Sequence, residues 1–271
     1  MKRAVLVIFE RRPRGEGRGR RAFTLLELLV VIGIIGIMAA IALPRLQGFG
    51  KSNASVAASR QLLDDAAQAR AAAIASRAPV YMVFVPPEIT NWMNANAFAA
   101  PPTGLYSDLE RSVFSNLVGN QFTAYALYSD RAVGDQPGQK HPRYLTPWKM
   151  LPEGVFIATY KFQYGTPAGS YMNGVAPFAT NGFPFPLASS PSSMLPYIEF
   201  DYLGRLAEQR DETIPLAHGS IFYPRGDNGA LSAPFVADVV ENPPSNSITL
   251  SNHVRIDWLT GRGRVERQEL Q

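Results

Sequence analysis

One carboxylate stands alone in an apolar run. From Phe23 to Leu43 the chain reads FTLLELLVVIGIIGIMAAIAL, and Glu27 is the single charge among those 21 residues. Near the middle of a membrane helix a carboxylate costs on the order of 2.5–3.5 kcal/mol on insertion scales, less toward the interface. Something must compensate it, either a nearby cation or snorkelling of the side chain to the headgroups. Cleavage between Ala22 and Phe23 would supply a cation, because the freed α-amine of Phe23 has a reference pKa near ~8 and is mostly cationic at neutral pH. A cleaved secretory signal places its small-residue cut site after a short apolar region. Here the basic cluster Arg18, Arg20, Arg21 and the small Ala22 come first. A cut at that point would shed the leader and keep the helix. A lone carboxylate of this kind offers charge pairing, not acid–base catalysis.

Elsewhere the chemistry-bearing residues are scattered. Arg262, Arg264 and Arg267 cluster with Arg255 near the C-terminus, and arginine forks suit phosphate. Asp257, Glu266 and Glu269 lie in the same stretch and would pair with them, which argues against nucleic acid as a partner. Glu199 and Asp201 alternate on one strand face and would need Asp211 or Asp227 to make a calcium site. No dense run of oxygen ligands supports that. His141, His218 and His253 lack metal-ligand spacing, and no G-x-S-x-G, P-loop or paired catalytic carboxylate is present. No metal, cofactor or catalytic residue is expected, and the chain reads as non-enzymatic.

The element that must carry Glu27 is a helix. Twenty-one residues at about 1.5 Å each reach roughly 31 Å, the thickness of a hydrocarbon core. The eight Lys/Arg and two acids of residues 1–22 give the leader +6, while the remainder carries 18 basic and 20 acidic residues, or −2. The overall charge of +4 thus belongs to the leader and holds it on the cytoplasmic side. The apolar Val5–Phe9 is too short to span and reads as part of an extended leader, or as sequence upstream of the true start. There are no cysteines, so neither a disulfide nor a thiolate metal site is available.

The order of basic leader, Ala22, Phe23, Thr24-Leu25-Leu26, Glu27 and a terminal Pro44 resembles the N-terminal signal of type IV pilins and type II secretion pseudopilins. Ala22 departs from the family's usual glycine and is small enough to be processed. The resemblance implies that a prepilin peptidase cuts between Ala22 and Phe23 and that Phe23 is then N-methylated. It also implies that Thr24, Leu25, Leu26, Glu27 and Pro44 serve assembly, Glu27 pairing with a neighbouring subunit's N-terminus. Residues 62–84 and the final hairpin are similar, more loosely, to one class of minor pseudopilin in type II secretion.

The fold class expected is α+β: a long N-terminal helix, membrane half followed by amphipathic half, packed on an antiparallel sheet lobe with long loop insertions. The segments are 1–22 (leader), 23–43 (transmembrane and assembly helix), 44–78 (amphipathic continuation) and 79–271 (extracytoplasmic lobe), with insertions at about 86–152 and 165–196. Pro44, Gly48 and Gly50 are expected to kink or locally melt the helix. At 100° per residue Val56, Leu63, Ala67 and Ile74 share one direction, which predicts the buried face of residues 53–77, with Asp64, Asp65, Gln61 and Gln68 turned away. The helix should stop at Pro79. Val80–Val85 reads as a strand buried on both faces, Tyr106–Leu117 as a short helix, and Gly134–Pro147 as a loop. Strands are expected at 122–128, 155–164, 197–202, 220–223, 235–240 and 247–250. A last strand, 254–259, turns through Thr260-Gly261-Arg262-Gly263 into a closing hairpin.

The function these readings imply is that of a structural subunit, a minor one to judge by its bulky inserted lobe. It would be processed, anchored in the bacterial inner membrane with its N-terminus cytoplasmic and its lobe periplasmic, and assembled into a secretion pseudopilus or a pilus. Its partners would be the prepilin peptidase, other pilin subunits, the membrane and a secreted substrate. The alternatives are a DNA-binding minor pilin of an uptake system and a membrane-tethered binding lobe.

Overall fold

The computed structural model describes residues 24–87, 89, 106–131, 134–136, 139–223, 237–249 and 252–267; for 41–52 and 267 the backbone alone is described. Ala22, Phe23, Asp227 and Glu269 lie outside the described residues. The chain divides into two compact units, Met1–Gly48 and Phe49–Gln271. The architecture is a helix followed by antiparallel sheet.

Helix α1 is assigned from Leu25 to Ser76. Its helical assignment continues through Pro44, Gly48 and Gly50, so the expected local melting there does not occur. The helix ends at Arg77, which takes the left-handed conformation (φ 51°). Ala78 N then donates to Ala73 O and Arg77 N to Ile74 O. This is a Schellman closure that satisfies the last carbonyls, with Pro79 beyond it.

In the second unit, α1 is followed by β1 (Val80–Phe84), α2 (Asp108–Val118), β2 (Ala124–Ser129), β3 (Arg143–Tyr144), β4 (Lys149–Met150), β5 (Val155–Ile157), β6 (Ala179–Pro184), β7 (Ser192–Phe200), β8 (Glu212–Phe222), β9 (Asp238–Glu241), α3 (Asn246–Thr249), β10 (Asn252–Ile256) and β11 (Gly263–Arg267). These strands build two sheets rather than one. The first runs β3-β2-β1-β7-β6, with β4 also on β2; the second runs β11-β10-β8-β5, with β9 on β8. All pairings are antiparallel.

The central strand explains its own composition. Val80, Met82 and Phe84 join the core shared with α1, while Val83 joins a second core on the opposite face with Phe114, Leu117 and Phe185. Successive side chains point to opposite faces, so a strand covered on both sides is apolar at every step. The first core also contains Ile214, Leu216, Val254 and Ile256, which ties the second sheet to the same helix.

The buried face of α1 differs from the sequence expectation. Ser55, Ala58, Ser59, Leu62, Asp65, Ala66, Ala69 and Ala73 are buried, whereas Ala67 and Ile74 are exposed and Val56 and Leu63 only partly covered. The true face is rotated by about 120° at the helical step. Small residues explain it: alanine and serine let the helix axis approach the sheet, and Leu62 supplies bulk. Asp65, expected to face outward, is instead the polar anchor of that face.

Other expectations are corrected by the structure. The stretch 86–152 is not merely insertion, since β2 within it is buried along its whole length beside β1. Nor is 165–196 too broken for core: Phe178, Phe183 and Phe185 are buried, and β6 and part of β7 lie there. Residues 247–249, within the strand expected at 247–250, do not form one, and Leu250 lies outside the described residues. Asn246 starts a helical turn instead, its side chain accepting from His218 N at 2.7 Å and donating to His218 O and Pro243 O at 2.7 Å. An asparagine that bonds backbone locally competes with ladder pairing. The strand expected over 155–164 stops at Ile157, and Thr159–Phe162 form a short 3-10 helix in which Lys161 is buried. The strand expected at 220–223 is the end of the eleven-residue β8, whose Pro215 masks it in sequence.

Candidate assembly site

The first described turn of α1 is built by Thr24. Its carbonyl accepts from Leu28 N at 3.1 Å, and its Oγ1 accepts from Glu27 N at 3.2 Å. Thr24 is thus the N-cap of the helix, and Glu27 occupies the third helical position. Thr-x-x-Glu is the spacing of a capping box, a signal present in the sequence but hidden when Thr24 is taken only as part of a family pattern. It gives Thr24 a physical role: it satisfies one of the orphan N–H groups of the first turn. Glu27 sits where the helix dipole favours negative charge.

Around this carboxylate the surface is apolar in every direction. Leu25 is 82% exposed, and even Val31, the least exposed large side chain up to Met38, is 42% exposed. At 100° per residue Leu25, Leu26, Leu28, Leu29 and Val30 cover one side of the helix, and Val31, Ile34 and Met38 flank the direction of Glu27 itself, so no polar face exists. A helix that is apolar all round belongs inside something, a membrane or a bundle. Among the described residues no helix is long and apolar enough to cross a membrane. The expected span of 23–43 begins before Thr24 and ends among residues described by backbone alone, and Pro44 is likewise described by its backbone alone.

The other candidate residues are placed as follows. Arg264 donates from Nε and Nη2 to Glu266 Oε1 at 2.8 and 2.6 Å. Arg255 donates to Asp211 Oδ2 at 2.9–3.1 Å and reaches Glu266 at 3.5 Å. Arg262 is exposed in the turn, and Arg267 is described by its backbone alone. The basic hairpin is thus largely offset by its own carboxylates. Asp201 caps the β7–β8 turn, accepting from Leu203 N and Arg205 N at 2.8 Å, and Asp211 also accepts from Trp258 N at 3.0 Å. Both carboxylates are thus engaged by backbone donors and by an arginine each, Arg205 at Asp201 and Arg255 at Asp211. Burial first, then Asp201, Glu208 and Asp130, push the Glu199 carboxyl above its usual range. Among the described residues no three potential ligands are placed to hold a metal.

One buried pair has no signal in the local sequence. Lys161, wholly buried, donates to Ala176 O at 2.6 Å and to Glu212 Oε1, with its ammonium over the Phe178 ring. Burial pulls the Lys161 amine down and pushes the Glu212 carboxyl up. Each is the other's compensation, and the pair fastens the turn after β5 to β8. A cleft of about 390 Å³ lined by Asn120, Thr123, Glu153, Ser220 and Tyr223 holds no nucleophile–base pair.

Residues 17–43 match the prokaryotic N-terminal methylation motif. That match covers the leader junction, Thr24 and Glu27, and it indicates a precursor of the pilin or pseudopilin type. It implies processing by a prepilin peptidase, membrane anchoring and assembly with other pilin subunits. Comparison of the chain with curated proteins and with solved structures finds no match.

Proposed function

We propose that this chain is a non-enzymatic structural subunit, a minor pseudopilin or pilin that assembles through its N-terminal helix. Residues 1–22 are the leader, cleavage falls between Ala22 and Phe23 with methylation of Phe23, 23–43 form the membrane and assembly helix, 44–78 continue it, and 79–271 form the periplasmic lobe. The observation that carries this reading is the Thr24-capped helix, apolar around its circumference and interrupted only by Glu27. A lone helix of that kind in water would expose a continuous apolar surface, which marks an interaction site. In a membrane or packed bundle the same surface is satisfied, and Glu27 then requires a cation. Leu25 and Leu26 pack against neighbours, and the bulk of the two-sheet lobe supports a minor position, at the tip or in initiation.

Glu27→Gln and Glu27→Ala test it. Both variants should be processed and held in the membrane fraction yet fail to enter sheared filaments or to cross-link to neighbouring subunits. Undiminished incorporation of both variants would overturn the assembly role of Glu27.

A further inference from the structure

The chain contains three Asn-Gly dipeptides, Asn173–Gly174, Asn181–Gly182 and Asn228–Gly229, the last outside the described residues. The two described pairs differ in what holds the glycine nitrogen. Gly182 N donates to the side-chain carbonyl Oδ1 of Asn181 itself, at 2.8 Å. Both residues lie on β6, the edge strand of the first sheet, and both are exposed. The nitrogen therefore lies beside the amide carbon of the preceding side chain. Gly174 N instead donates to Tyr171 O at 3.1 Å, and Asn173 Nδ2 is tied to Ile248 O at 3.2 Å.

We propose that Asn181–Gly182 is a self-modifying site, at which the Gly182 nitrogen closes on the Asn181 side chain and converts the amide to a carboxylate. Hydroxide takes the Gly182 N–H proton, the nitrogen bonds to Cγ, and the Cγ–Nδ2 bond breaks with loss of ammonia. Water then opens the succinimide at either carbonyl, giving aspartate or isoaspartate. The net change is asparagine plus water to acid plus ammonia, with no oxidant or cofactor. Glycine at 182 leaves the approach unhindered. A Cβ there would stand 2.8 Å from Ser192 Oγ, so a hydroxyl lies close by on β7. The isoaspartate product lengthens the backbone by one carbon opposite buried Leu195, the register partner of Asn181. The site thus converts a neutral edge strand into a charged and locally shifted one.

The test follows full-length protein in detergent at neutral pH by peptide mapping, with isoaspartyl methyltransferase labelling as a second readout. Acid at position 181 should accumulate several-fold faster than at position 173 in the same folded sample, and faster as pH rises. Asn181→Gln should abolish the conversion at that peptide and leave position 173 unchanged. An Asn181 that stays an amide, or converts no faster than Asn173, would overturn the proposal.

Discussion

Tyr125 on β2 donates a hydrogen bond from its hydroxyl to Asp65 Oδ2 on α1 at 2.6 Å, across 60 residues of sequence. Lys149 Nζ meets the other oxygen at 2.5 Å, and Gln61 Nε2 donates to the Tyr125 hydroxyl at 2.9 Å. This network is where the helix is fastened to the first sheet by direction rather than by apolar contact alone. A helix face of alanines can slide; one with a buried carboxylate between two donors cannot.

Removing one member should be costly because Asp65 and Tyr125 are themselves buried. Tyr125→Phe should destabilise the lobe by about 1–3 kcal/mol, the usual cost of a buried group left unsatisfied. Asp65→Ala should cost more than Asp65→Asn. Urea denaturation of the three variants checks this ordering, and near-neutral Tyr125→Phe would contradict it.

The Lys161–Glu212 pair makes a sharper double-mutant test. Breaking a buried pair by removing one partner typically costs about 3–5 kcal/mol, whereas replacing both by apolar residues is often close to neutral. Lys161→Met and Glu212→Leu should each be strongly destabilising, and the double variant markedly less so than the sum of the two. Additive losses would show that the two side chains do not depend on each other.

At Gly261 the turn of the final hairpin has φ 62°, and a Cβ there would run into the Gly204 carbonyl oxygen and crowd Arg70. Gly261→Ala should therefore destabilise by more than the roughly 1 kcal/mol of an ordinary conformational penalty. The signal would be a lowered Tm in thermal melts, with Gly165→Ala, which has open space around it, as the milder control.

Acid should loosen the hairpin first. Hydrogen bonding from Arg264 holds the Glu266 carboxyl below its ordinary value of 4.5, with Arg255 adding to the effect and burial opposing it. A depressed carboxyl contributes stability that is complete above the ordinary value and is lost as pH falls through the lowered one. The Tm difference between the natural chain and Glu266→Gln should thus persist at neutral pH and vanish at strongly acid pH. A difference that grows on acidification would contradict the pairing.

Much of this fold is legible in the sequence because periodicity and capping are local. Val80–Val85, the helix after Tyr106 and the closing hairpin follow from their own residues. The helix at 108–118 carries its start signal in Ser107 and Glu110, a full capping box. What escapes is non-local. The rotated face of α1 follows from which side chains the sheet can accept, so Ile74 and Leu63 mislead where alanines decide. β6 and the first half of β8 escape because proline, glycine and polar residues break the pattern there while tertiary pairing still holds the strand. Lys161 and Glu212 look like surface charges, since nothing nearby in sequence shows that each neutralises the other. For the assembly site, the lone Glu27 is visible at once, and its Thr24 cap is visible only in spacing.

The measurement that reaches furthest is the mass of the mature N-terminus, taken from cells with and without the prepilin peptidase. The expected result is a chain that starts at methylated Phe23 only when the peptidase is present. A chain that still starts at Met1, or one cut after the apolar helix, would leave Glu27 a charge without a partner and contradict the assembly reading.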